Sequence, residues 1–368
     1  RRKSSLENMG INQKFWKGRK VLITGHTGFK GSWLSLWLQE LGAIIIGVSL
    51  DPPTNPSLYE QANIAKGILN LKYNICNKKS VIDCFEKHKP EIVFHLAAQS
   101  LVRRSYSEPV ETYETNVMGT LNILEGIRSI NTVRAAVLVT TDKCYDNKEW
   151  EWGYRENDPM GGYDMYSSSK GAAELLIASY RNSFFPVSQY NRHKVAIASA
   201  RSGNVIGGGD WAKDRLVPDI IRAFQNNKKV KVRNPNSIRP WQHVLEPLHG
   251  YIQLAELLTD NGPKYSEPWN FGPRGEDVKS VQWIVEQISR YWGSDTNWVN
   301  DDNDKHPHES NYLKLDCSKT NTKMNWHPKW DLIQTLEKIV EWHKEECINS
   351  NQYKELCLKQ IKEYTDIK

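Results

Sequence analysis

The sequence has little cysteine and no long apolar run. The longest apolar stretch, residues 43–50, has the length of a strand, whereas a membrane-spanning helix needs about 18 to 20 apolar residues. Membrane insertion is therefore not expected. Six scattered cysteines without a Cys-x-x-Cys pair argue against a zinc site and against a disulfide framework. A reducing, cytoplasmic location is the expectation.

The chain also lacks a strong excess of one charge sign. Its 368 residues have a net charge of +6, with 39% hydrophobic and 25% charged residues. This composition is typical of a globular protein, and the charge is too small to predict nucleic-acid binding. Residues 1–8 precede Met9, and we expect them to be a fusion or vector remnant outside the fold.

Short apolar runs alternate with segments of helical period. The predicted strands are residues 21–24, 43–48, 92–96, 135–140 and 195–200. The predicted helices are residues 29–41, 80–87, 110–127 and 166–179, with a helical tail over 332–364. Strands that alternate with helices in this way predict an α/β protein with a doubly wound parallel sheet.

Three glycines follow the first predicted strand and begin the first helix: Gly25, Gly28 and Gly31. Glycine permits a tight turn and lets backbone amides approach a pyrophosphate at the helix N-terminus, so the spacing predicts a dinucleotide site. An ATP-binding P-loop needs Gly-Lys-Ser or Gly-Lys-Thr, whereas the order here is Lys30-Gly31-Ser32.

Asp51 lies twenty residues after Gly31, just past the second predicted strand. A carboxylate there can accept hydrogen bonds from an adenosine ribose. No Lys or Arg occurs between residues 43 and 61 to neutralise a 2′-phosphate, so NAD is favoured over NADP. The alternative is that Asp51 is only a turn residue before two prolines.

Tyr166 and Lys170 are four residues apart, so both side chains leave one face of a helix. An ammonium near a phenol favours the phenolate, which makes Tyr166 a candidate general base for the oxidation of an alcohol. A Tyr-x-x-x-Lys pattern alone is common in proteins and acquires meaning only behind the glycine loop.

Together with the His-Leu-Ala-Ala segment at 95–98 and Asn116, these motifs resemble the extended short-chain dehydrogenase/reductase family over about residues 20–330. The resemblance implies a Rossmann sheet that binds NAD. It implies cofactor contacts from Gly25, Thr27, Gly28, Phe29, Gly31, Asp51, Asn74, Ile75, Leu96, Ala97, Ala98, Gln99, Asn116, Thr140, Tyr166 and Lys170. Asn74-Ile75 stands where the family commonly has an Asp that holds the adenine.

The segment Thr140-Thr141-Asp142-Lys143 is similar to the Thr-Asp-Glu triplet of nucleotide-sugar 4,6-dehydratases. Lysine in place of the glutamate, together with the motifs at 203–211, 214–219 and 239–248, resembles the branch that acts on CDP-glucose. The catalytic residues implied are Thr141, Asp142, Lys143, Tyr166 and Lys170. The implied reaction is oxidation at carbon 4, loss of water across carbons 5 and 6, and return of the hydride to carbon 6.

In that reaction Tyr166 takes the carbon 4 hydroxyl proton, and Asp142 protonates the hydroxyl that leaves carbon 6. Lys143 is either the base for carbon 5 or a group that stabilises the enolate. The resemblance also implies substrate contacts from Asn204, Arg215, Arg239 and His308. The segment 306–309 (His-Pro-His-Glu) lacks the helical spacing of a zinc site, so no metal is expected.

The resemblance also suggests two domains. An NAD-binding domain is expected over residues 9–203, with a return over about 241–265, and a smaller C-terminal α/β substrate domain over 204–240 and 266–368. Family members commonly form homodimers through the helices that contain Asn116 and Tyr166, so a homodimer or larger homo-oligomer is expected.

Two alternatives stay open at this point. A nucleotide-sugar 4-epimerase or reductase of the same family needs Tyr166 and Lys170 but no acid at Asp142. A noncatalytic NAD sensor could lose Tyr166 and Lys170, so the presence of both residues argues against it.

Overall fold

The computed structural model describes residues 10–293, 298–301 and 312–367. Its strands are β1 (Lys20–Thr24), β2 (Ile44–Ser49), β3 (Leu69–Lys72), β4 (Ile92–His95), β5 (Ala135–Val139), β6 (Ala196–Arg201), β7 (Val205–Ile206), β8 (Lys231–Val232), β9 (Ile238–Pro240), β10 (Gln242–His243), β11 (Pro268–Asn270), β12 (Val278–Ser280) and β13 (Val299–Asn300).

The α-helices are α1 (Gln13–Trp16), α2 (Phe29–Glu40), α3 (Leu58–Gln61), α4 (Lys78–His88), α5 (Val102–Ser107), α6 (Pro109–Tyr113), α7 (Gly119–Ser129), α8 (Met165–Ser183), α9 (Tyr190–His193), α10 (Leu216–Gln225), α11 (Leu245–Tyr265), α12 (Val281–Trp292), α13 (Ser318–Met324), α14 (Leu332–Lys344) and α15 (Ser350–Asp366). Within the three described ranges, no helix combines the length and the apolarity that crossing a bilayer requires.

Seven parallel strands form the central sheet, in the order β11-β6-β5-β4-β1-β2-β3. The order reverses at β1, as in a doubly wound sheet, so the predicted fold class is confirmed. Two strands of the sheet, β3 and β11, were not predicted from the sequence. β3 reads Leu-Asn-Leu-Lys and is largely exposed, and β11 has only three residues, so neither carries a strong apolar signal.

Both faces of the sheet are buried, because alternate residues of each strand point to opposite sides. Val21 and Ile23 of β1 pack into the core shared with α2, α11 and α15, whereas Leu22 packs into the core with α4, α7 and α8. Burial on both faces explains why the strands are continuous apolar runs.

Two predicted helices differ in the structure. The segment predicted as one helix over 110–127 consists of α6, a π-helical turn over Glu114–Met118, and α7. The predicted tail over 332–364 is divided into α14 and α15, and Asn349 begins α15 with a capping box. Helical periodicity alone does not reveal either interruption.

A separate apolar core lies under α10, α12 and α14, formed by residues such as Ile220, Ile284 and Leu336. These helices belong to the segments predicted as the substrate domain. β11 comes from the same predicted segments but extends the central sheet beside β6. The predicted division of the chain at residues 203, 240 and 265 stays a prediction.

Candidate active site

A cleft of about 1890 Å³ lies where β1, β4, β5 and β6 end. Its lining contains every candidate site residue named from the sequence except Asn116 and His308. Asn116 is buried behind the lining, and His308 lies outside the described residues, as does the rest of the segment 306–309. Across the described part of the chain, no cluster of three His, Cys, Asp or Glu side chains could hold a metal ion.

The glycines of the loop have two different roles. Gly25 and Gly31 are required by close backbone contacts within the protein, whereas Gly28 leaves space for a ligand. Gly25 has φ of +75°, and a Cβ there would lie 2.7 Å from the Ala97 amide nitrogen. A Cβ on Gly31 would collide with the Gly25 carbonyl oxygen. On Gly28, which precedes the first turn of α2, a Cβ would come no closer than 3.4 Å to protein atoms. The open position therefore lies at the helix N-terminus, where a pyrophosphate fits.

At one end of the cleft, Asp51 forms an ion pair with Lys72, with 2.6 Å between Oδ2 and Nζ. The two side chains are 73% and 68% exposed. The absence of Lys and Arg from residues 43–61 did not reveal this cation, because Lys72 comes from β3, which pairs with β2.

The neighbouring wall is made by Asn74 and Ile75. The Asn74 side chain accepts a hydrogen bond from the Cys76 amide at 2.9 Å. Ile75 is buried against Gly119, where a Cβ would lie 2.5 Å from the Ile75 Cδ1 atom. Asn122 donates to the Ile75 carbonyl oxygen at 2.9 Å. The segment is thus held rigidly against α7.

After β4, the chain over 96–99 is held by side chains from two other elements. The Ala97 amide donates to Thr24 Oγ1 at 3.2 Å. The Asn116 side chain accepts from the Gln99 amide at 2.9 Å and donates to the Gln99 carbonyl at 3.0 Å and to Ser169 Oγ at 2.9 Å. Asn116 therefore ties the π-helical turn to this loop and to α8.

Tyr166 and Lys170 lie on one face of α8, as predicted. Lys170 Nζ donates to the Val139 carbonyl at 3.2 Å. Burial raises the pKa of Tyr166 to about 12, and a hydrogen bond with Thr141 and the positive charge of Arg215 act in the opposite direction. Burial lowers the pKa of Lys170 to about 8. Arg215 is thus a cation that favours the phenolate.

Asp142 is completely buried in a 3-10 turn after β5. Its Oδ1 accepts from Thr141 Oγ1 at 3.0 Å and from Lys143 Nζ at 3.3 Å. Among the described residues, Oδ2 has no hydrogen-bond partner. A Cβ on Gly203 would overlap with this carboxylate, so the glycine makes room for it. Oδ1 is thus held by two hydrogen bonds, whereas Oδ2 is buried against Gly203 and is not hydrogen-bonded to any described residue.

A buried ion pair beneath this turn was not predicted from the sequence. Glu174 and Arg201 are 2.8 Å apart, and both side chains are under 5% exposed. Glu174 also accepts hydrogen bonds from Thr140 and from Ser199 Oγ at 2.7 Å. The spacing of Glu174 four residues after Lys170 was the available signal, but its partner lies on β6. The network fixes the end of β5 below Asp142.

The predicted substrate residues Asn204, Arg215 and Arg239 line the same cleft. Arg215 donates to Asp210 at 3.0 Å and to Ser100 Oγ at 3.1 Å. Asn204 has φ of +36°, and its buried Oδ1 has no partner within the described chain. Arg239 donates to the Ile238 carbonyl at 3.0 Å. The structure thus brings two guanidinium groups and an amide to one cleft.

A lysine of the glycine motif reaches the floor of the cleft. Lys30 Nζ donates to Ser202 Oγ at 3.0 Å and to the Tyr251 hydroxyl at 3.2 Å. From the sequence alone, Lys30 served only to exclude a P-loop. Ser202 follows β6 and Tyr251 lies within α11, so both partners are distant from Lys30 in the sequence and no local pattern indicated these contacts.

Comparison with known proteins gives three kinds of match. The family model described as GDP-mannose 4,6 dehydratase matches residues 22–339. A CDP-glucose 4,6-dehydratase of Salmonella typhimurium is 57% identical over 334 residues, which cover 91% of this chain and 93% of that protein.

Two solved structures share the fold. The dTDP-glucose 4,6-dehydratase of Bacillus anthracis in complex with NAD has a TM-score of 0.72 and 21% identity, over 89% of this chain and 97% of that chain. The UDP-glucose 4-epimerase of Brucella ovis in complex with NAD has a TM-score of 0.74 and 18% identity, over 89% and 99%. A dehydratase and an epimerase match equally well, so the fold does not separate the two reactions.

Proposed function

Because the chain belongs to the GDP-mannose 4,6-dehydratase family, we propose that it is an NAD-dependent hydro-lyase that converts CDP-glucose to CDP-4-keto-6-deoxyglucose and water. The substrate is that of the Salmonella typhimurium relative, with which it shares 57% of aligned residues. The product provides a 4-keto-6-deoxy sugar for reactions that build the deoxy and dideoxy sugars of bacterial surface polysaccharide.

The observation that carries the proposal is the pairing of a phenol and a carboxyl group around one hydroxyl. Thr141 donates to Asp142 Oδ1 at 3.0 Å and also hydrogen-bonds with Tyr166. An epimerase or a reductase requires the phenol only. An acid fixed beside it is what the elimination of a hydroxyl group requires.

The residues present fit NAD. The space beside Gly28 is not filled by protein atoms. It lies at the N-terminus of α2, where backbone amides can bind a pyrophosphate. Asp51 and the segment at Asn74 and Ile75 provide the wall for the adenosine half, and Lys170 lies at the catalytic end. NAD, when bound, supplies the acceptor and later the donor of the hydrogen that moves from carbon 4 to carbon 6.

The chain itself moves the protons. Tyr166 accepts the proton of the carbon 4 hydroxyl, and the positive charge of Arg215 lowers its pKa toward the value this step needs. Oxidation to the ketone acidifies the hydrogen on carbon 5. Asp142 then donates a proton from Oδ2 to the hydroxyl that leaves carbon 6, since Oδ1 is occupied by Thr141 and Lys143.

Lys143 serves the carbon 5 step, either as the base or by stabilising the enolate. Its ammonium lies 3.3 Å from Asp142 Oδ1, beside the acid that acts on the adjacent carbon. A Lys143→Met variant should lose exchange of the carbon 5 hydrogen with deuterated solvent. Exchange at the wild-type rate would exclude Lys143 from this step.

The substrate diphosphate binds on the wall that contains Asn204, Arg215 and Arg239. Guanidinium groups match phosphate oxygens in geometry and charge, and the buried Oδ1 of Asn204 provides an acceptor for a sugar hydroxyl. His308, which the resemblance also assigned to the substrate, stays a prediction.

A direct test incubates the purified protein and NAD with CDP-glucose, UDP-glucose, dTDP-glucose and GDP-mannose in turn and follows the product mass. The proposal requires loss of one water molecule from CDP-glucose at a rate that depends on NAD. Unchanged mass with an altered sugar configuration would identify an epimerase, and turnover of another nucleotide alone would overturn the substrate. NAD binding without turnover of any sugar would favour the sensor.

We further propose a homodimer formed through α6, α7 and α8. α6 and α7 both pack against α8, and with the π-helical turn between α6 and α7 these helices expose the apolar residues Val110, Met118 and Leu175, which are 68%, 48% and 62% exposed. A second copy of the chain is the partner that would cover them. Light scattering should give the dimer mass for the wild type and a lower mass for Leu175→Glu, whereas Ile348→Glu, at an isolated exposed residue, should leave the mass unchanged.

The cytoplasm is the proposed location. A nucleotide-sugar substrate is available there, and all six cysteines are free thiols in the structure, as a reducing compartment requires. Fractionation of cells that express the natural protein should recover it with the cytoplasmic enzymes.

A further inference from the structure

Asp214 bridges two arginines that come from distant parts of the chain. Its Oδ1 accepts a hydrogen bond from Arg103 of α5 at 3.0 Å, and Nη1 of Arg233, the residue after β8, lies 3.6 Å from the same oxygen. Arg233 also donates to the Asp214 carbonyl oxygen at 3.4 Å. All three residues line the cleft, and the mechanism proposed above uses none of them.

The backbone at Asp214 is left-handed, with φ of +61°. Few residue types adopt this conformation readily, and Asp and Asn are the commonest after glycine. Leu216 begins α10 two residues later, so Arg215 is the one residue between the left-handed turn and the helix. The direction in which the Arg215 side chain leaves the backbone therefore depends on the conformation of Asp214.

Arg215 contacts the same segment as Asp214 does. Its Nη2 donates to Ser100 Oγ at 3.1 Å, three residues before Arg103, and its Nη1 donates to Asp210 at 3.0 Å. Two consecutive residues thus form two links to residues 100–103. The side chains of Arg103 and Arg215 are 34% exposed and that of Asp214 is 47% exposed. Each link alone adds little stability, but together they restrict the Arg215 side chain.

We propose that Asp214 is a positioning residue for Arg215: the contacts of Arg103 and Arg233 with its carboxylate fix the turn that directs the Arg215 guanidinium toward Ser100. This inference rests on the proposed function, in which Arg215 binds the substrate diphosphate and favours the phenolate of Tyr166. Asp214 itself contacts neither group and acts through Arg215.

This role predicts effects opposite in sign to those of a nearby negative charge. A carboxylate beside the cleft repels a diphosphate, so removal of its charge alone would strengthen substrate binding. The same removal would make the phenolate of Tyr166 easier to form. If Asp214 instead holds Arg215 in place, its neutralisation releases Arg215, weakens substrate binding and disfavours the phenolate. The direction of the change therefore separates the two roles.

A second acid confines the effect to the turn at Asp214. Asp219, in the first turn of α10, interacts with Arg233 as well as with Asp214, and it also forms an ion pair with Arg222. When Asp214 is neutralised, Arg233 keeps Asp219 as an acidic neighbour. The segment after β8 should therefore stay in place, while the links to residues 100–103 weaken.

The main variant is Asp214→Asn, because asparagine keeps the size of the side chain and also tolerates the left-handed backbone. We expect the Kd of CDP, measured by calorimetry without NAD, to rise about three- to tenfold, and the KM of CDP-glucose to rise by a similar factor. The ascending limb of log kcat against pH should move upward by about 0.3 to 0.5 unit.

Two comparisons isolate the bridge. Arg103→Met should raise the Kd of CDP as Asp214→Asn does, and the double variant should bind no more weakly than either single variant, because all three lose the same ion pair. Glu111→Gln removes the exposed pair of Arg104 and Glu111, which are 2.8 Å apart and join α5 to α6. This control should leave the Kd of CDP and the pH limb unchanged.

A Kd of CDP that falls or stays constant in Asp214→Asn, or a limb that stays in place or moves downward, would overturn the proposal. Asp214→Gly also permits the left-handed backbone and gives the same test with the same expected directions if the asparagine variant fails to fold. Failure of the wild type to dehydrate CDP-glucose would contradict the proposed function, whereas wild-type dehydration with tighter or unchanged CDP binding in the variant would contradict only the role of Asp214.

Discussion

The two ends of the cleft hold similar charges in different surroundings. At the adenosine end, Asp51 and Lys72 form a close ion pair in which each side chain is more than two-thirds exposed to solvent. At the catalytic end, Lys170 and Tyr166 are buried and Lys30 is partly buried, and removal from water moves the pKa values of Lys30, Lys170 and Tyr166 to about 7, 8 and 12. Water screens the exposed ion pair of Asp51 and Lys72, whereas burial shifts the pKa values at the catalytic end. Removal from water therefore affects the titratable groups of this cleft more than the proximity of charges does.

The largest difference between the two ends is expected at Asp142. Asp142→Asn keeps the shape and the bond to Thr141 but cannot protonate the leaving hydroxyl, so the rate of water loss should fall about a hundredfold to ten-thousandfold. Mass spectrometry of the product measures this rate. Oxidation at carbon 4 should persist, visible as absorbance at 340 nm when substrate is added. A variant that retains most of the dehydration rate would remove Asp142 from its assigned role.

The glycine loop, which connects the two ends, is tested by two matched substitutions. Gly31→Ala places a methyl group against the Gly25 carbonyl and should destabilise the fold by about 1 to 3 kcal/mol. Gly28→Ala meets no protein atom closer than 3.4 Å, so it should keep the wild-type melting temperature while NAD affinity falls about tenfold. Equal melting temperatures for the two variants, or unchanged NAD affinity in Gly28→Ala, would contradict this assignment of roles.

Arg215 tests electrostatic tuning at the catalytic end. Its positive charge lowers the pKa of Tyr166, so Arg215→Met should raise that pKa. The phenolate then forms only at higher pH, and the ascending limb of log kcat against pH should move upward by about half a unit to one unit. Arg215→Lys should restore the wild-type limb in part. An unmoved limb with a raised KM would limit Arg215 to substrate binding.

The smallest effect is expected at the exposed pair. Lys72→Met should change the Kd of NAD by less than about threefold, and the difference should shrink further in high salt. Fluorescence titration at low and high ionic strength measures it. A tenfold change that persists in salt would show that exposure does not weaken this end, and the comparison of the two ends would fail.

The parts of the site that the sequence revealed are those encoded locally. The glycine loop, the Tyr166 and Lys170 pair and the Thr141-Asp142-Lys143 segment each lie within a few residues, at spacings with a direct geometric meaning. Five of the seven strands of the central sheet, β1, β2, β4, β5 and β6, were predicted to within about a residue of their bounds, because burial on both faces requires continuous apolar runs.

The features of the site that were not predicted depend on contacts between segments that are distant in the sequence. Lys72 reaches Asp51 only because β3 pairs with β2, and Arg201 reaches Glu174 only because β6 lies beside β5. The π-helical turn that places Asn116 interrupts a helix without changing its apolar period. These features follow from pairing order and from packing, which a single sequence does not display.

The central claim is that one turnover oxidises carbon 4 and returns the same hydrogen to carbon 6. The most direct measurement uses CDP-glucose with deuterium at carbon 4, incubated with the protein and NAD in ordinary water and analysed by NMR and mass spectrometry. The account predicts a 4-keto-6-deoxy product that has lost one water molecule and carries the deuterium at carbon 6. Loss of the deuterium to solvent, or its retention at carbon 4, would contradict it.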